Sequence, residues 1–400
     1  KEDVGNGSVA LGYAALYTQN SDSNNEETGN TGIGYEAAFY NVTGTNNTWV
    51  GFKAGLGASV VSGQSNSNNV GVGANALLAI VAGSYNVILG SDAGKALTDG
   101  HNNVAIGNLA LSTSTSVGIS VAIGDDAMRS GNVTAAADGT VAIGGSALAA
   151  LTSGAGNVAI GYQALSAHTT GTYSLAIGSG VLQHSVDGAY NIGIGYGAMS
   201  DWDAGTTVDG SNQNVMIGVN AGGGAWTNVQ SNFNVGIGNY VMDAVMDGAL
   251  NNTAVGYSAL SALTTGDENV VIGKGAGATI DTGFNNIIMG TGAGDAFDAE
   301  RDNVFIGHQC ADGAINGADY CVAIGSEAFR GAATQDGTIA IGRHALSALT
   351  TGAGNVAVGN EAGRAATDNA RNTVIGHGAY RYSTSSDDNV VIGYNALRNA

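Results

Sequence analysis

One glycine constrains this chain more than any other feature. The nonapeptide NVAIGYQAL at 157–165 returns as SVALGYAAL at residue 8, NVAIGNLAL at 103, NTAVGYSAL at 252, TIAIGRHAL at 338 and NVVIGYNAL at 389. Twenty-two copies start at residues 8, 30, 47, 69, 86, 103, 120, 140, 157, 174, 191, 214, 234, 252, 269, 286, 303, 321, 338, 355, 372 and 389. Fourteen of the 21 intervals are 17 residues and the rest run from 18 to 23, so the period is structural and not a chance recurrence. Numbered from 0, position 4 is glycine in every copy, Gly107, Gly161, Gly273 and Gly393 among them. A glycine that never varies within one chain marks a corner where φ is positive or a Cβ would clash. A short fixed period over a whole chain is the mark of a solenoid.

The other positions sketch the coil. Position 3 is always aliphatic or Met, and position 1 is Val, Ile, Leu or Thr. On a strand these two share a face, expected here to be the interior. Position 2 then points outward, yet it is never polar: mostly Ala or Gly, elsewhere Trp49, Ile88, Met216, Val271, Ile288, Phe305, Val374 or Val391. A strand apolar on both faces is covered on both. Several chains are therefore expected to pack around a common axis, and Ala159→Asp is expected to part the chains before it unfolds the coil. Gly161→Val should unfold the coil itself. Position 7 is Ala in 19 copies and TTG, DG or SG turns follow, giving two short strands per coil and no helix. Asn fills position 0 in 16 copies, where stacked side chains can form an amide ladder.

The fold class is thus all-β, a parallel β-solenoid of about 22 coils. Residues 1–7 are a lead-in and 8–400 a single continuous repeat domain. One coil cannot bury enough apolar surface to order itself, so stacking supplies the ladder and the core. At about 4.8 Å per coil, 22 coils span roughly 105 Å. Proline is absent, which suits a body whose N–H groups are nearly all paired.

Charge narrows the partners. The net charge is −20, from 12 basic and 32 acidic residues, and no Lys or Arg occurs between Arg129 and Lys274. Phosphate-directed nucleic-acid binding and an anionic membrane surface are disfavoured. No apolar run is long enough to insert in a membrane. The chain opens at Lys1 without an initiator Met, as a processed chain or a fragment does, and neither end carries an obvious polar cap.

The five longest intervals insert into the same turn, at 17–29, 57–68, 129–139, 200–213 and 223–233. Insertions on one edge of a solenoid mark a binding face. Trp202 and Trp226, in adjacent insertions, are the candidate receptor contacts, against the alternative that they pack onto the solenoid. Asp201, Asp203 and Asp209 are a calcium candidate, without the spacing of an EF-hand. Otherwise no cofactor and no metal are expected. Cys310 and Cys321 replace Ala at position 7 and Asn at position 0 of successive coils, as a disulfide or as two buried thiols. His308, His344 and His377 recur near the corner on alternate coils, too far apart for one metal. No nucleophile–base grouping stands out, and no enzymatic activity is expected.

The pattern GxxNVAIGxxALxxxTTG, as at 154–171, resembles the head repeats of YadA-type trimeric autotransporter adhesins. Its 17-residue period is closer to the NTAIGYQAL-type repeats of phage tail fibres and related bacterial surface proteins. The resemblance covers 8–397 and implies a left-handed parallel β-roll, usually trimeric, serving as a rigid extracellular shaft or head. The expected function is then a structural and adhesive fibre, on a virion tail or a cell surface, touching a glycan or protein receptor. The alternatives are a subunit of a head-to-tail filament and a glycan-degrading tailspike.

Overall fold

The computed structural model describes residues 7–19, 27–58, 66–129, 133–201, 210–226, 229–313, 317–331, 334, 336–384 and 386–399. Its repeating element is a three-residue strand. There are 22, from β1 (Val9–Leu11) to β22 (Val390–Ile392), each covering positions 1–3 of one repeat. The described residues otherwise contain one 3-10 turn, Ala135–Ala137. The chain is a parallel β-solenoid falling into two compact units, Lys1–Gly193 and Ile194–Ala400.

Within the first unit, β9 (Val158–Ile160) pairs in parallel with the strand before it, Val141–Ile143, and with β10 (Leu175–Ile177). Val158 lies against Leu175, Ala159 against Ala176 and Ile160 against Ile177. The second unit repeats this register, with Val270, Val271 and Ile272 against Ile287, Ile288 and Met289. Equivalent residues therefore stack in columns. Backbone N–H groups bond alternately to the coil behind and the coil ahead: Gly161 N donates to Ile143 O at 2.8 Å and Val158 N to Ser174 O at 2.9 Å.

The expected facing of the strand is reversed. Ala159 is wholly buried, whereas Val158 and Ile160 on either side of it are partly exposed. The same holds for Val271 between Val270 and Ile272. Position 2 is the inward residue because the coil is narrow. It shares its interior with the residues at positions 7, 8 and 11, here Ala164, Leu165 and His168, all buried. Ala159→Asp therefore strikes the interior of the coil and not a contact between chains.

The coil also has one strand where two were expected. After the corner, positions 6 and 8 take left-handed backbone, Gln163 at φ 56° and Leu165 at φ 51°, and no strand survives that alternation. Such residues cost roughly 1–2 kcal/mol each. The cost is offset by bonds between coils, Gln163 N to Gly145 O at 2.9 Å and Leu165 N to Val181 O at 3.0 Å.

The corner glycine is required on two counts. Its φ is 139° at Gly107, 141° at Gly161, 145° at Gly273 and 130° at Gly393. A Cβ on Gly161 would also sit 2.3 Å from the carbonyl oxygen of Gly178 in the next coil.

Position 0 carries the amide ladder. Asn86 donates its backbone N–H and its Nδ2 to Asn69 Oδ1, both at 3.0 Å, and Nδ2 also reaches Gly100 O at 2.9 Å. In the second unit the ladder runs through Asn214, Asn234, Asn252, Asn269, Asn286 and Asn303. It stops at Cys321, whose N–H donates the last link to Asn303 Oδ1 at 2.8 Å but whose side chain has no amide to pass on. Buried amides satisfied in this way lock the register, since a slip of one residue would strand them.

Candidate functional site

The surface most unlike ordinary solvent-facing protein is the outer face of the strands. In each unit it presents positions 1 and 3, which are Val, Ile, Leu, Met or Thr, column upon column. Ile106, Ile160, Ile237, Ile272, Met289, Ile324 and Ile375 all count as exposed. Tyrosines flank the same strands, at position 5 (Tyr162, Tyr196, Tyr257) and just before position 0 (Tyr85, Tyr173, Tyr190, Tyr320), all more than half exposed. Aliphatic columns bordered by tyrosine resemble the apolar core and aromatic margin of a protein–protein interface. The residues at position 5 also stack between coils, Tyr13 on Tyr35 at 5.1 Å and Tyr35 on Phe52 at 5.4 Å. These stacks are corner packing.

The candidate contact residues fare differently. Trp226 is 2 % exposed, its ring under Gly222, where a Cβ would lie 3.1 Å from Trp226 Cζ2. It fills the coil interior and is not a receptor contact. A large apolar ring is more stable buried. Trp202, Asp203 and Asp209 lie outside the described residues, and Asp201 is exposed. The calcium candidate thus has one described member, and no group of three His, Cys, Asp or Glu able to hold a metal occurs among the described residues.

Cys310 and Cys321 are buried thiols and not a disulfide. Burial pushes the Cys310 thiol up to about 12 and that of Cys321 to about 11, so neither is a nucleophile at neutral pH. Cys310 Sγ donates to Ala323 O at 3.2 Å. His168 takes position 11, a place that Leu151, Leu263 and Leu349 hold in other coils, and is completely buried. Burial lowers its pKa, opposed by backbone contacts to Gly171 and Ser185 and by the charge of Asp187. His344 lies 3.6 Å from Glu327.

An open groove of about 450 Å³ in the second unit is lined by Ala262, Thr264, Thr279, Asp281, Ala296 and Asp298. Its hydroxyls are already used between coils. Thr264 donates to Asp281, and Thr279 donates to the carbonyls of Asp295 and Phe297 at 2.7 Å each. These groups hold the stack and do not converge on a common point.

Compared with known proteins, the chain matches no family model and no curated sequence. No helix among the described residues is long and apolar enough to cross a membrane.

Proposed function

We propose that this chain is a structural and adhesive fibre protein, without enzymatic activity, whose copies associate along the outer face of their strands. The observation that carries this reading is the outward Val/Ile column pair with its tyrosine margins, in a chain of net charge −20. Exposed aliphatic columns of this extent are costly in water, and covering them is the usual reason for their presence. A second copy is the natural cover because it offers the same flat surface at the same coil spacing. The resemblance of the repeat to adhesin heads and tail-fibre shafts favours three chains, an extracellular place on a virion tail or a cell surface, and a glycan or protein receptor. The insertions at 17–29, 57–68, 129–139, 200–213 and 223–233 supply receptor contacts in this reading.

The test is a mass determination with electron microscopy of the native protein. Discrete particles of about 120 kDa, three chains of 39.5 kDa, are the expected result. A 39.5 kDa monomer at micromolar concentration would sink the association, and filaments of indefinite length would replace it with head-to-tail stacking.

A further inference from the structure

A local ion pair recurs along the solenoid. An acid at position 6 meets a base at position 9 of the same coil: Asp92 with Lys95 at 3.0 Å, Asp126 with Arg129 at 2.9 Å, Glu327 with Arg330 at 3.0 Å and Glu361 with Arg364 at 2.9 Å. Coils built this way neutralise their own cation. The repeats starting at 372 and 389 do not. They carry Arg381 and Arg398 at position 9, but Gly378 and Asn395 at position 6.

The surplus charge is only partly met within the chain. Arg381 turns back to Glu361 of the preceding coil, Nη1 to Oε2 at 2.8 Å and Nη2 to Oε1 at 2.9 Å, so one carboxylate serves both Arg364 and Arg381. Arg398 has its guanidinium 5.6 Å from the centre of the Tyr382 ring, with Arg381 at 5.1 Å from the same ring. A ring face attracts a cation but does not cancel its charge. The Nε atoms of Arg381 and Arg398 are buried without a hydrogen-bond partner. Arg364, Arg381 and Arg398 thus stand on successive coils, whose backbones repeat at about 4.8 Å, against the single carboxylate of Glu361, and the Arg381 side chain at the centre is 19 % exposed.

We propose that this arginine ridge binds an anionic glycan, a linear polysaccharide bearing carboxylate or sulfate groups. The guanidinium fork matches either group with paired hydrogen bonds, and a ridge repeated at coil spacing suits a polymer better than a single ion. The net charge of −20 does not forbid it, because charges beyond about 10 Å are screened at 0.1 M salt while contacts at the ridge are not. Nucleic acid is the competing polyanion, and a DNA oligomer is included below to separate the two. The proposal rests on the surface-adhesion reading but not on the number of chains.

The experiment applies the full chain to immobilised dextran sulfate, alginate and neutral dextran at low salt. Retention on dextran sulfate or alginate, none on dextran, and release by added salt are expected. Arg381→Gln/Arg398→Gln should weaken retention about tenfold for each guanidinium removed. Arg371→Gln should leave it unchanged, because Arg371 stands on another edge in a two-bonded pair with Asp388 at 2.6 and 2.8 Å. Glu361→Gln, which frees the ridge, should tighten binding and keeps the test decisive if the double variant is unstable. Failure of the parent chain to bind either acidic polymer overturns the proposal. So does equal loss in Arg371→Gln, or displacement by a DNA oligomer at lower concentration than by glycan. A monomeric mass with intact glycan binding would remove the fibre and leave the ridge.

Discussion

His168, buried in the ninth repeat between Leu151 of the coil before and Ser185 of the coil after, makes its part of the first unit sensitive to acid. His168 Nδ1 lies 3.4 Å from Ser185 O, and its Nε2 is buried with no hydrogen-bond partner. A proton there would be a buried charge inside the coil, which is why burial depresses the pKa. The unfolded chain takes up that proton near pH 6.5 and the folded chain resists it. Stability is therefore complete above the unfolded pKa and is lost as pH falls below it, by at most about 2 kcal/mol at pH 5. His168→Leu, which restores the residue found at Leu151 and Leu263, should shrink the fall in melting temperature between pH 7.5 and pH 5. An identical pH profile in parent and variant would show that His168 is solvated or partnered. The invariant glycine belongs to the same scale. Gly161 combines φ 141° with a backbone oxygen 2.3 Å from where a Cβ would be, so no side chain relieves one constraint without meeting the other.

The element is the coil, and its interior obeys a size rule. Where position 2 is large, position 8 is small. Trp49 is followed by Gly55, Ile88 by Gly94, Met216 by Gly222, Ile288 by Gly294 and Phe305 by Ala311. Where position 2 is Ala, position 8 is usually Leu, Met or Phe, as in Ala159 with Leu165 and Ala323 with Phe329. The structure gives the reason: a Cβ on Gly55 would lie 2.3 Å from Trp49 Cδ2, and one on Gly71 in the next coil 2.6 Å from Trp49 Cε3. Trp49→Ala should cost about 3–5 kcal/mol by opening a cavity. Gly55→Leu alone should overpack the same space. The double variant re-creates the Ala/Leu pair of most coils and should recover much of both losses, a coupling that a double-mutant cycle on the melting free energies would measure. Strict additivity would mean the two residues do not share the space.

That size rule is present in the residues, with Val374 beside Tyr380 as an exception, but the facing was expected the other way round. The repeat, the glycine corner, the ladder of Asn side chains and the solenoid were readable because each rests on one column repeated many times. The facing was not read from the alternation alone, because both faces are apolar and alternation identifies a face without saying which is inside. The second strand failed for a different reason. Ala and Leu at positions 7 and 8 look like strand residues and mask the left-handed backbone at Leu165 and its counterparts, whose signature is the Gly, Asn and Asp scattered through other copies, Gly180, Gly197 and Asn220 at position 6 and Gly55 and Gly94 at position 8. Trp226 followed the hydrophobic effect and not the loop it sits in.

At the scale of the whole molecule the question is what covers the outer face, and the corrected facing turns it into a clean comparison. Ile160 and Ile177 are outward, adjacent and aligned, while Ala159 between Val158 and Ile160 is inward. A carboxylate at Ala159 has no solvent and no partner, so Ala159→Asp should unfold its coil, with lost circular dichroism and a lower melting temperature. A carboxylate at the outer positions meets water in a single chain, so Ile160→Asp/Ile177→Asp should leave the β signal intact. In an assembly it would be buried against another chain's aliphatic columns, at several kcal/mol per charge. The expected outcome is a folded protein whose mass falls from about 120 kDa to 39.5 kDa. If the outer-face variant keeps its parent's mass, the Val/Ile columns are not where the chains meet, and their cover must be sought in a different partner. If it unfolds as Ala159→Asp does, the fold depends on the association, as obligate oligomers do.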